Sequence, residues 1–150
     1  MTTPIIAGGI LPRRLLLCLL FVAPVALASG GHDLTFQGDA SFGGPHGGQA
    51  VQVALVDAAS GEVLETKSGT VSADVSPAFS FDFPGALNEG SSYEVHYWID
   101  SNFGGGTEGS CDPKGTDHQW SVSLEGSGEA VTHAESHDPG AQSDVCATFE

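Results

Sequence analysis

Positive charge is nearly missing from this chain. Its 150 residues carry 4 Lys and Arg against 19 Asp and Glu, a formal charge of −15. A molecule so one-sided repels phosphate backbones and anionic lipid surfaces, which argues against nucleic acid or a membrane surface as a partner and leaves cations as the ions it would attract. Cysteine is scarce at three residues, and none of them forms a Cys-x-x-Cys pair, so a thiolate metal site or a redox dithiol has no spacing to support it. No Gly-x-Ser-x-Gly elbow is present, and the strand pattern brings no Ser, His and Asp together, which argues against a hydrolytic triad and for a protein that is not an enzyme. Helical periodicity and internal repeats are lacking as well.

One long hydrophobic run exists, from Leu15 to Leu27, behind the basic pair Arg13 and Arg14. It is shorter than the roughly 20 residues a membrane span needs and ends at Ala26-Leu27-Ala28. The expectation is a signal peptide over residues 1–28, cleaved after Ala28, with export to the periplasm or the exterior and a single domain over 29–150. Cys18 would depart with the signal. The exported part then keeps only Lys67 and Lys114 against all the acids, and its two cysteines, Cys111 and Cys146, read as one disulfide in an oxidising compartment.

What the chain has in quantity is alternation with a period of two, so the expected fold is all-β, a two-sheet antiparallel sandwich of Ig-like or transthyretin-like type with seven to nine short strands. Val51, Val53 and Leu55 share one face of a strand that turns at Ala58-Ala59-Ser60-Gly61 into a second strand through Val63. Phe79, Phe81 and Phe83 place three rings inward before Pro84-Gly85 ends their run. Tyr93, Val95, Tyr97 and Ile99 oppose Glu94, His96, Trp98 and Asp100. Trp120, Val122 and Leu124 form another strand, and Glu125 to Asp144 reads as a hairpin with a loose loop. Val145, Ala147 and Phe149 suggest a last strand.

Four stretches, Val51-Gln-Val-Ala-Leu-Val-Asp57, Ser60-Gly61-Glu62, Phe79-Ser-Phe81 and Gly90-Ser-Ser-Tyr93-Glu-Val95, resemble transthyretin-like sandwich domains, including carboxypeptidase regulatory-like modules, over about residues 50–100. The resemblance implies a noncatalytic binding or structural module of an exported protein.

Two groups of residues carry metal chemistry. Calcium takes six to eight oxygen ligands from flexible loops, and Asp100, Asn102, Glu108, Asp112 and Asp117 offer such oxygens beside glycines that permit tight turns. Asp100, Asn102 and Gly105 even fall on EF-hand positions, but Gly104 and Cys111 break that pattern. Calcium is therefore the first expected cation. The alternative is copper or zinc on imidazole, since six histidines are present, and His46, His96 and His118 are the trio a sandwich could gather. His133 and His137 would lie ~13 Å apart on one extended strand, too far for one ion unless the chain turns between them. A third reading is a carbohydrate-binding module or secreted enzyme, with Trp98, on the polar strand face, as the sugar-stacking residue.

Overall fold

A computed structural model describes Met1 and residues 30–150, so the expected signal peptide and its cleavage site lie outside the described residues. Seven strands follow in order: β1 (His32–Gly38), β2 (Ala50–Asp57), β3 (Val63–Thr70), β4 (Phe79–Leu87), β5 (Ser92–Ile99), β6 (His118–Glu125) and β7 (Val131–Glu135). Between β1 and β2 lie a 3-10 turn, Ala40–Phe42, and one helical turn, α1 (Gly43–His46). The strands form two sheets, ordered β4-β1-β7 and β3-β2-β5-β6, which pack as a β-sandwich. Among the described residues no helix is long and apolar enough to cross a membrane.

The four-stranded sheet keeps the period-two pattern on its inner face, with Ala54, Val56 and Trp98 buried on the other face as well. Asp57 accepts the Ser60 amide at 2.8 Å and Gly61 takes φ +73°, a conformation that costs glycine little, so the β2–β3 hairpin turns where the sequence places it. Val53 pairs with Tyr97 and Tyr97 with Trp120, so one inner row crosses three strands. Tyr97 and Trp120 stack with centroids 5.0 Å apart, and Phe36 and Phe42 close on Tyr97 from the opposite side at 5.1 and 6.4 Å.

Beyond this sheet the structure departs from expectation in three places. Pro84-Gly85 does not end β4: the strand runs on to Leu87 through a register shift against β1, where the Gly85 amide donates to Asp33 at 2.7 Å. Proline is tolerated because β4 is an edge strand and needs no donor there. β7 does not pair with β6 as a hairpin. It crosses to the other sheet and pairs with β1 in parallel, so the sandwich is not wholly antiparallel. Residues Val145 to Phe149 form a 3-10 turn, Cys146–Thr148, and not a strand.

Cys111 and Cys146 form the expected disulfide. It fastens the C-terminal segment across the outer face of the four-stranded sheet, where Phe149 lies 6.2 Å from Trp98. Trp98 is therefore only 2% exposed, which removes the open indole platform that a sugar-stacking role requires.

Tyr97 is fully buried, and its hydroxyl finds no hydrogen-bond partner among the described residues. Leaving such a group unpaired costs about 1–3 kcal/mol. Tyr97→Phe should thus leave stability unchanged or raise it by up to ~1 kcal/mol in urea denaturation, whereas a clear loss would mean that the hydroxyl is satisfied.

Candidate metal centre

Three imidazoles converge at one end of the sandwich, each delivered by a different connection. His46 ends α1, and its helical turn is packed tightly: a Cβ on Gly47 would come within 2.6 Å of both the Ala73 Cβ and the Gly43 carbonyl oxygen. His118 is the first residue of β6 and shares its inward face with Trp120. His137 comes just after β7 has ended at Glu135. Asp39 joins the first and last of these segments. It accepts the Ser41 amide at 2.8 Å and the Ser136 hydroxyl, while the Ser41 hydroxyl accepts the His137 amide at 2.8 Å. The Ser136 and Ser41 donors hold the Asp39 carboxyl below the usual carboxylate range.

The converging atoms are His46 Nε2, His118 Nδ1 and His137 Nε2. Their separations are 3.1 Å for His46 to His118, 3.1 Å for His46 to His137 and 3.3 Å for His118 to His137. Hydrogen bonding cannot satisfy all three edges. Each neutral ring nitrogen is either a donor or an acceptor, so among three mutually adjacent nitrogens at least two are alike and face each other unfavourably. His46 settles its own state: the Gln49 amide oxygen lies 2.7 Å from Nδ1, which therefore carries the proton and leaves Nε2 as a lone pair pointing at the other two rings. A cation at the centre accepts three lone pairs at once. With a metal–nitrogen distance of about 2.0–2.1 Å, one face of a tetrahedron has edges of about 3.3–3.4 Å, close to the triangle present.

The surroundings favour neutral rings. His46 is completely buried, and burial first, then the neighbouring His118 and His137, lower its pKa to about 4 against the bond it donates to Gln49. Burial also lowers His118 and His137, which are half-buried, while Asp117 and Asp138 respectively pull the other way. Phe42, Trp120 and Phe103 wall the site, with Trp120 edge-on to all three rings at 5.6 to 6.4 Å and Phe103 5.0 Å from His118. Neutral imidazoles in a partly dry aromatic setting are in the state a transition metal needs.

No family model, curated protein or solved structure matches the chain.

Of the histidine trio read from the sequence, His46 and His118 come together and His96 does not. His96 lies on the outer face of the sheet, where it meets Thr148 Oγ1 at 2.7 Å and Glu94 at 2.8 Å. His137 takes its place because the chain does turn: β7 stops before it, so the strand spacing that separates it from His133 no longer applies. His133 remains in the strand, paired with Glu135 and stacked on Phe36. The signal that could have found His137 is Pro139-Gly140, which ends the extended run close behind it.

In the acidic loop three of the carboxylates accept backbone amides, while Asn102 Oδ1 is buried with no hydrogen-bond partner among the described residues. Among the described residues, the three histidines form the group of His, Cys, Asp or Glu side chains whose ligand atoms all lie within 4.8 Å of one another. Asp117 is fully buried and accepts the amides of Ser101, Asn102 and Asp112 at 2.9 to 3.0 Å. Asp112 accepts the Thr107 amide, and Asp100 accepts the Gly109 amide at 2.7 Å together with the Asn102 side chain. These carboxylates brace the loop that leads into His118. Glu108 is exposed.

The depressed pKa of His46 makes the metal-free fold sensitive to acid. The unfolded chain takes up a proton near the ordinary value of 6.5 and the folded one only near 4. The neutral buried ring is therefore fully tolerated above about pH 6.5, and stability falls as pH drops from there toward 4. The melting temperature of chelator-treated protein should decline steadily across that window. A flat profile between pH 6.5 and 4 would contradict the assignment.

Proposed function

We propose that this protein is an exported, noncatalytic β-sandwich module that binds one transition-metal ion, zinc or copper, through His46, His118 and His137. The observation that carries the reading is the triangle of imidazole nitrogens, whose mutual approach no assignment of ring protons can satisfy. The donor set is all nitrogen, since the two cysteines near the sandwich are spent in the disulfide, and imidazole suits zinc and copper. Gln49 on the far nitrogen of His46 supports the ligand by fixing its tautomer. Three ligands leave a further coordination position for water or a small ligand. Export is supported by the disulfide, which belongs to oxidising compartments, and by the signal-like residues 1–28. The transthyretin-like pattern of residues 50–100 falls on β2 to β5, and we read it as a likeness of sandwich pattern between modules of this kind.

Calcium is not the favoured ion, because Asp100, Asp112 and Asp117, three of the five residues proposed for it, already accept backbone amides. Titration should find one zinc or copper ion per chain. A ligand present at 100 times its dissociation constant should stabilise the fold by about 2.7 kcal/mol, and millimolar calcium should leave the melting temperature unchanged. His46→Ala, His118→Ala and His137→Ala should each abolish stoichiometric binding, while His96→Ala should keep it. Copper should also quench Trp120 fluorescence in a Trp98→Phe background, given the proximity of the indole to all three rings. Binding that survives all three alanine substitutions would refute the proposal.

A further inference from the structure

We infer that the Cys111–Cys146 disulfide controls the metal affinity of the histidine site, so that a dithiol reductant would loosen the ion and a bound ion would protect the disulfide. The inference rests on the three-histidine reading and concerns its regulation. Two of the three ligands belong to connections joined by this one covalent link. Cys111 lies in the loop that runs directly into His118, and Cys146 ends the segment that starts at His137.

That second segment has no strand ladder of its own, because β7 stops at Glu135. Three hydrogen bonds hold it to β6: Trp120 Nε1 donates to the Asp138 carbonyl at 2.8 Å, the Ser143 amide to the Gln119 carbonyl at 3.0 Å, and the Val145 amide to Gln119 Oε1 at 2.9 Å. Gln119 also donates to the Asp112 carbonyl at 2.7 Å, so its buried side chain spans the same two segments that the disulfide joins. Beyond these, the His137 amide bonds Ser41 Oγ and the exposed Lys114 meets Asp144 at 3.4 Å, so without the covalent tie a handful of polar contacts permits local opening at much lower free energy than global unfolding. The geometry of a three-ligand site is lost once one ligand swings away.

The disulfide is also reachable. Both cysteines are half-buried and line a cavity of about 300 Å³ shared with Gln52, Ser110, Trp98 and Phe149. A dithiol would attack one sulfur as thiolate, pass through a mixed disulfide and leave as its own cyclic disulfide. Two electrons and two protons end on Cys111 and Cys146 as thiols. Linkage makes the effect reciprocal: whatever factor oxidation adds to metal affinity, the metal adds to the stability of the oxidised form.

Zinc itself is the probe, and circular dichroism of the metal-free Cys111→Ser/Cys146→Ser variant shows whether it is folded. If folded, this variant, which supplies no thiols of its own, should bind zinc at least fivefold more weakly than the oxidised wild type, and a smaller difference overturns the inference. If it does not fold, the decision passes to oxidised wild type treated with a trialkylphosphine. The phosphine takes oxygen from water as the disulfide becomes two thiols. Saturating zinc should slow thiol release at least fivefold in wild type and not in His137→Ala, and a smaller protection overturns the inference. Failure of the site itself reads differently: oxidised wild type that takes up no zinc, or a His137→Ala protein that binds as wild type does, removes the three-histidine reading and this one with it.

Discussion

Three imidazole nitrogens 3.1 to 3.3 Å apart repel each other as lone pairs, clash as N–H donors, and repel more strongly as cations, so the rest of the fold has to hold them against that preference. The holding is done at the level of the chain connections. His46 is fixed by a packed helical turn and by Gln49, His118 by its place at the start of a strand whose next inward residue is Trp120, and His137 by Ser41 and Asp39 acting from the connection that carries His46. Each tie is ordinary in strength. Together they place a preformed, mostly neutral donor set at the end of a β-sandwich, where a cation would convert a mutual repulsion into three favourable contacts.

The same economy explains where several of the acids went. In a chain with 19 carboxylates the tempting inference is that a dense acidic loop binds a hard cation. Yet Asp117, Asp112, Asp100, Asp57 and Asp39 each accept hydrogen bonds from backbone amides of turns or loops. Loops rich in glycine have many amides that no strand partner satisfies, and a carboxylate with two oxygens can take several at once. Asp117 accepts three and thereby sets the entry of β6, so an acid that looks like a ligand in the sequence acts as a positioning residue for the histidine beside it.

Much of the scaffold could be read from the sequence because its causes are local. Alternation at Val51 to Leu55 and Tyr93 to Ile99, the Asp57 to Gly61 turn and the pairing of Cys111 with Cys146 all follow from residue pattern or residue count. What could not be read depends on partners far apart in the chain. Nothing in Val131 to Glu135 says that this strand leaves β6 and joins β1 in parallel, and that crossover carries His137 to His46. His96 looked as good a ligand as His118. The two differ in sheet face and in position along it, and the cover of the outer face by the C-terminal segment is a tertiary fact.

Charge and site therefore do separate jobs. The strongly acidic exterior attracts every cation over a range set by the Debye length, about 8–10 Å at ordinary ionic strength, and does not distinguish one from another. On the proposed reading discrimination would come from the site, and neutral nitrogen donors would supply it: hard calcium and magnesium prefer oxygen and gain little from imidazole, whereas zinc and copper gain much. For that division to work the carboxylates near the site must not compete as ligands. Their capture by backbone amides meets this condition, because Asp117, which accepts two amides on one oxygen and one on the other, can reach an ion only by leaving those amides unpaired at the buried entry of β6.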